Sequence, residues 1–249
     1  MGVFRGHVPS IPGARPFDID GQLSDSSVDL PHTMPAPETV VSILRDLGLN
    51  DSNHVVVYDA EGVYSSPRAL WMLRAVGHLR SSVLDGGLPA WTDAGCPLAS
   101  DPAAYEGPVG DLKARQNPNV FVARGEVADA LAHGDRVVVD ARSAGRFGGV
   151  ELEPREGLRL GHMPGAVNVP YASLLADGRF LKADQLRGVL AAATPNRRLI
   201  TSCGSGVTAC IVAVAALLAG YDDVAVYDGS WSEWGRPDGG VVAAGPGHY

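Results

Sequence analysis

Residues 199–210 read LITSCGSGVTAC. A short apolar run, Leu199 to Thr201, ends at Ser202-Cys203. Two glycines and two hydroxyl residues follow within five positions, and an Ala/Val/Leu pattern then runs to Leu218 and stops at Gly220. An apolar run of strand length, a glycine loop and a long apolar run form the outline of a strand–loop–helix unit. Cys203 falls at the C-terminal end of the strand, the edge where ligands bind in open α/β sheets. A thiol there is open to three readings: a nucleophile, a metal ligand, or an inert buried cysteine.

The unit occurs twice. VVVYD (Val55–Asp59) aligns with LITSC (Leu199–Cys203) at an offset of 144, and VLDGGLPAW (Val83–Trp91) aligns with VYDGSWSEW (Val226–Trp234) at 143. Gly77 matches Gly220, and IPGA (Ile11–Ala14) matches MPGA (Met163–Ala166). Internal self-similarity of this kind marks a duplicated architecture. Asp59 stands where the second copy has Cys203. Strands are expected at Val55–Asp59, Val137–Asp140, Leu199–Cys203 and Asp223–Val226. Helices are expected at Pro37–Leu47, Arg124–Ala132, Ala183–Ala192 and Val207–Leu218. A further helix is expected from a hydroxyl cap at Ser66-Pro67 to Gly77. The Val207–Leu218 helix is apolar nearly all round, so it should be buried. Short strands alternating with helices imply a mainly parallel α/β sheet in each copy. The Pro- and Gly-rich stretch 101–118 reads as a linker between an N-terminal domain, 1–100, and a C-terminal domain, 119–249.

The copies differ at their starts. The second carries a helix pattern from Arg124 and the strand-like VVVD well before MPGA, whereas only ten residues precede IPGA. The first domain is therefore expected to lack its N-terminal helix and strand. A start set too late is the favoured cause.

The composition fits a soluble globular chain: 45% hydrophobic, 19% charged, with mean hydropathy near zero. A net charge of −8 argues against nucleic acid or an anionic membrane as partner, although a local pocket can still be positive. Three cysteines, Cys96, Cys203 and Cys210, form no CxxC pair, which argues against a disulfide scaffold or a structural zinc site. Reduced thiols, no signal-like apolar stretch in MGVFRGHVPSIPG and no membrane-length apolar run suggest a cytoplasmic protein.

The loop Cys203-Gly204-Ser205-Gly206-Val207-Thr208 has the makings of an anion cradle. Glycines let the backbone approach a ligand, successive N–H groups can converge, and a helix N-terminus adds partial positive charge. These features would stabilise negative charge on the Cys203 sulfur and on a second sulfur bonded to it. A cysteine phosphatase would need an arginine six residues after the cysteine to hold the phosphate. That position is Ala209. Cys210, inside the apolar run, and Cys96 read as structural.

The tandem repeat together with CGSGVTA, YDGSWSEW, GHMPGAVNVPY and ARSAGRFGGVELEPREG resembles the two-domain rhodanese-type sulfurtransferases over nearly the whole chain. The resemblance implies two α/β domains, the first catalytically silent, which agrees with Asp59. It implies no metal and no organic cofactor. Thiosulfate-preferring members carry basic residues after the cysteine. Gly204 and Ser205 instead match the 3-mercaptopyruvate branch.

By the same likeness, Arg146 and Arg155 would hold the donor's carboxylate and carbonyl, as paired guanidinium forks can. Gly204, Gly206, Val207 and Thr208 would line the cradle. Ser205, with Asp20 of FDID and His32 of LPHTMP, would relay protons around Cys203. Asp20 and His32 stand one residue further apart than the family spacing. The implied reaction passes sulfur through a Cys203 persulfide to a thiol, a thioredoxin-like protein or cyanide, releasing pyruvate. Two rivals remain: thiosulfate:cyanide sulfurtransfer, and an inactive persulfide carrier should the first domain be incomplete.

Overall fold

The computed structural model describes residues 9–100, 104–194 and 198–245. Most of the N-terminal stretch scanned for a signal, and the first three residues assigned to the linker, lie outside these. No helix among the described residues is long and apolar enough to cross a membrane.

From residue 9 to residue 36 the chain is irregular and is anchored by Leu23, which is fully buried in the main core. The elements then run α1 (Pro37–Asp46), β1 (Val55–Val57), α2 (Ser66–Ala75), β2 (Ser81–Val83) and α3 (Gly87–Asp93). The second half continues β3 (Phe121–Val122), α4 (Arg124–His133), β4 (Val137–Asp140), α5 (Ala144–Gly148) and β5 (Val167–Asn168). A short 3₁₀ turn at Tyr171–Leu174 leads into the hairpin β6 (Leu175–Ala176) and β7 (Arg179–Phe180). The chain closes with α6 (Ala183–Ala193), β8 (Arg198–Ser202), α7 (Ala209–Leu218), β9 (Asp223–Tyr227) and α8 (Ser230–Trp234).

Every expected strand and helix forms, with ends displaced by one or two residues. Two shifts have clear causes. Helix α7 starts at Ala209 and not at Val207, because the glycine loop consumes two more residues before the helix can close. Ser66 is the first residue of α2 and not its cap, and neither Ser65 nor Ser66 caps the helix. Both hydroxyls are turned to the Asp59 carboxylate.

The main sheet has five parallel strands in the order β3-β9-β8-β4-β5. β8 lies at its centre, with four-residue registers to both β4 and β9. The cysteine loop therefore leaves the sheet from its most constrained strand. Helix α7 is buried from Ala209 to Ala216 and packs on β8, β9, α6 and α2. Burying each of Ile211, Val212 and Val214 contributes about 1.5–3 kcal/mol.

Among its described residues the first half holds only the parallel pair β1–β2. β1 corresponds to β8, but among the described residues no strand lies on its other edge, where β8 carries β4. Val56 is exposed, whereas its counterpart in β8, Ile200, is buried in a cluster with Val127 and Ala130 of α4. One apolar core nevertheless runs through both halves, joining Val41, Leu70 and Leu73 to Cys210, Val212 and Val226. The connecting segment is fastened to the first half. Leu112 is buried, Arg115 N–H donates to the Val76 carbonyl at 3.0 Å, and Trp71 Nε1 donates to the Val120 carbonyl at 2.9 Å.

Candidate active site

Cys203 follows the last residue of β8 and is 2% exposed. Its own N–H donates to Ser230 Oγ at 3.1 Å, and Ser230 Oγ–H donates to the Tyr227 carbonyl at 2.8 Å. Ser230 adopts φ +49°, a left-handed conformation that L residues with a side chain seldom take. The matching position in the first half is Gly87, with φ +57°. The serine bears that conformational cost beneath the cysteine, and its hydroxyl holds the strand end in place. The loop's carbonyls are tied down as well. Trp231 N–H donates to the Cys203 carbonyl at 3.0 Å, and Ser232 donates to the Gly204 carbonyl through N–H and through Oγ.

The loop's N–H groups are left free. No described protein group accepts from the backbone N–H of Gly204, Ser205, Gly206, Val207 or Thr208. Donors left open at the N-terminus of a buried helix make an anion cradle. Gly206 has φ +75°, and a Cβ there would lie 2.8 Å from the Asp228 carbonyl oxygen and 3.1 Å from Arg68 Nη1. Glycine is thus required at this position both for conformation and for room. Thr208 occupies the cap position of α7 without a side-chain cap bond, and Val207 is buried.

The two arginines singled out from the sequence converge on the loop. A Cβ placed on Gly204 would lie 3.0 Å from Arg146 Nη2 and 3.7 Å from Arg155 Nη1. A methyl group at 204 would therefore crowd the Arg146 guanidinium and sit in ordinary van der Waals contact with that of Arg155. Arg155 Nη2 also lies 3.4 Å from Ser205 Oγ. Arg146 is aimed by Glu153, which accepts from it at 2.5 Å through one oxygen and from the fully buried Arg142 at 2.6 Å through the other. Arg142 is paired in turn with buried Asp140 at 2.6 Å and stacks over Trp231.

Asp20, His32 and Ser205 form one hydrogen-bonded line. His32 Nε2 lies 2.8 Å from Asp20 Oδ1, and His32 Nδ1 lies 2.9 Å from Ser205 Oγ. An ionised carboxylate only accepts, so Nε2 carries the proton and the neutral ring offers Nδ1 as acceptor to the serine hydroxyl. Burial holds the imidazole below its ordinary pKa. Asp20 opposes that shift, and the Arg155 and Arg68 cations reinforce it.

Cys210 is fully buried with its thiol 3.2 Å from the Gly206 carbonyl, and burial pushes its pKa far up. Among the described residues no group of three His, Cys, Asp or Glu side chains could hold a metal ion. A cavity of about 450 Å³, lined in part by Met34, Phe121 and Asp228, does not include Cys203.

Four residues that the sequence reading did not single out support the site: Arg68, Glu153, Asp228 and Ser230. Arg68 had a legible signal, since it is the lone charge in SPRALWML. Ser230 had a weaker one, a serine aligned with a glycine. Asp228 had one in the repeat, where it matches Asp85, and Glu153 lay within the motif around Arg146 and Arg155 with nothing to mark its role.

Residues 5–94 and 123–236 match the family model of the rhodanese-like domain. The chain is 42% identical over 233 residues to the 3-mercaptopyruvate sulfurtransferase of Escherichia coli K12, covering 93% of this chain and 81% of that protein. It is 40% identical over 248 residues to the human 3-mercaptopyruvate sulfurtransferase, covering 95% of this chain and 81% of that protein. The crystal structure of SseA from Escherichia coli, a 3-mercaptopyruvate sulfotransferase, superposes with a TM-score of 0.80 at 40% identity, over 90% of this chain and 84% of that one. With the cysteine loop, the parallel α/β sheet and these likenesses in agreement, the chain belongs to the rhodanese-like family and is a sulfurtransferase enzyme.

Proposed function

We propose that the enzyme takes sulfur from 3-mercaptopyruvate onto Cys203 as a persulfide and passes it to a second nucleophile. The observation that carries this reading is the composition of the loop's mouth. Gly204 and Ser205 add no cation beside the thiol, and the positive charge is instead two guanidinium groups gathered over Gly204. A monoanionic keto acid, with a planar carboxylate next to a carbonyl, suits such a pair of forks. Thiosulfate, a compact dianion, would gain more from cations within the loop itself.

The chemistry follows in two transfers. The Cys203 thiolate attacks the donor sulfur. The S–S bond forms, the C–S bond breaks, and its electron pair passes to carbon as the enolate of pyruvate. Arg146 and Arg155 stabilise the developing negative charge. The proton lost by the Cys203 thiol reaches the enolate carbon through Ser205 and His32, with Asp20 fixing the ring. The five open N–H groups of the loop hold the persulfide. In the second transfer an acceptor thiolate, a thioredoxin-like dithiol protein or cyanide attacks the outer sulfur, and Cys203 leaves as thiolate.

The repeat and the Pro- and Gly-rich stretch between its copies support a domain over 1–100, catalytically silent by the likeness, a linker over 101–118 and a catalytic domain over 119–249, and the sparse, unpaired cysteines support a cytoplasmic protein. The test is a comparison of kcat/KM for the two donors with cyanide as common acceptor. A clear preference for 3-mercaptopyruvate supports the reading, and a clear preference for thiosulfate overturns it.

A further inference from the structure

We infer that Arg68 is a positioning residue for sulfur transfer, setting the His32–Ser205 contact by gripping the backbone beside both partners. Arg68 comes from α2 in the first half and is fully buried. Its Nη2 donates to the carbonyl of His32, and its Nη1 reaches the carbonyl of Gly206, the residue after Ser205, at 3.5 Å. The same Nη1 is paired with Asp228 at 2.6 Å, and the guanidinium lies 4.4 Å over the Phe121 ring. Asp228 closes the circuit by accepting the Met34 N–H at 2.8 Å, so the segment 32–34 is held at both ends.

His32 needs such holding. It has φ +60°, a left-handed conformation at a residue other than glycine, which persists only where surrounding contacts over-determine it. A single planar fork reaching two carbonyls and one carboxylate does this, whereas a lysine ammonium has no such fixed geometry. Arg68 makes no hydrogen bond to Cys203, Arg146 or Arg155, and its hydrogen bonds to the site run to the backbone of His32 and of Gly206, beside Ser205.

The inference rests on the proton relay proposed above, and the test separates the two. kcat and KM for 3-mercaptopyruvate are measured for R68M, H32A and R68M/H32A, with folding checked by circular dichroism. We expect H32A to lower kcat by on the order of 10²-fold. R68M should come close to that loss, with KM within about threefold of wild type, and the double variant should be no slower than H32A alone. R68M should also lose the acid limb of the kcat–pH profile that H32A loses. Should R68M fail to fold, R68K takes its place in the cycle, because it keeps a cation for Asp228 but not the fork. Losses that multiply in the double variant, a wild-type kcat in the Arg68 variant, or a KM rise as large as the kcat loss each overturn the inference. A wild-type kcat in H32A overturns the relay and the inference together.

Discussion

His32 Nδ1 lies 2.9 Å from Ser205 Oγ across 173 positions of sequence. The contact joins an irregular segment of the first half to the cysteine loop of the second, and both side chains are buried. The first half is thus built into the site even though Cys203 and both arginines belong to the second.

This pairing sets the pH dependence. Burial, aided by the nearby Arg155 and Arg68 cations, lowers the His32 pKa from its usual 6.5, with Asp20 opposing. The ring is neutral, and able to accept from Ser205, until the pH falls below that lowered value. The acid limb of kcat should therefore lie below pH 6.5 and be absent in H32A. The sign for stability is the same. In the window between the lowered folded value and 6.5 the unfolded chain binds more protons, so stability is complete above 6.5 and is lost as the pH falls through the window. A pH series of thermal unfolding on wild type and H32A checks this, and an identical slope in both would remove His32 as the source.

Glu153 bridges Arg146 and Arg142, with its side chain 2% exposed. E153Q removes one of two carboxylates facing two guanidinium groups. Breaking a buried pair from one side costs about 3–5 kcal/mol. The melting temperature should fall, and KM for 3-mercaptopyruvate should rise about tenfold as Arg146 loses its aim. R146M should raise KM by a similar factor or more, with a smaller loss of stability because Arg146 is partly exposed. Steady-state kinetics beside calorimetry separates the two. An unchanged KM in both variants would remove Arg146 from donor binding.

The thiols should divide cleanly. C203S should abolish transfer, and intact-protein mass spectrometry should find one added sulfur on the wild type after incubation with 3-mercaptopyruvate and none on C203S. C210A leaves a small cavity in a well-packed helix, so stability should fall by about 1–2 kcal/mol, yet persulfide should still form. Added sulfur on C203S, or its loss in C210A, would place the nucleophile elsewhere.

Much of this was legible because the chain contains its own comparison. The offset alignment put Asp59 opposite Cys203 and fixed the strand–loop–helix unit. The carboxylate and imidazole of the relay, however, came from family likeness, since nothing local to Asp20 or His32 marks them. Their meeting with Ser205 depends on how two distant segments pack. Arg68 and Ser230 were hard to read for another reason. Each acts through backbone groups, a carbonyl gripped or a strained φ held, and such work leaves no spacing pattern in the sequence. The short elements α5, α8 and β5 fell below the length at which periodicity carries information.

The first half builds the same cradle and fills it with its own anion. The Asp59 carboxylate accepts from the backbone N–H groups of Tyr64, Ser65 and Ser66 at 2.8–3.0 Å, and from the hydroxyls of Ser65 and Ser66. An added sulfur has no room in a nest already satisfied by a carboxylate. D59A would leave these five donors without their acceptor, at a cost of about 2 kcal/mol. It should leave kcat and KM for 3-mercaptopyruvate near wild type, because Asp59 makes no contact with the cysteine loop among these bonds. The emptied cradle should instead bind a small oxyanion. Sulfate should then raise the melting temperature of D59A more than that of wild type, as linkage requires for a ligand that binds only the folded state. Equal sulfate responses in the two proteins, with no loss of stability in D59A, would show that the carboxylate is incidental to the first half.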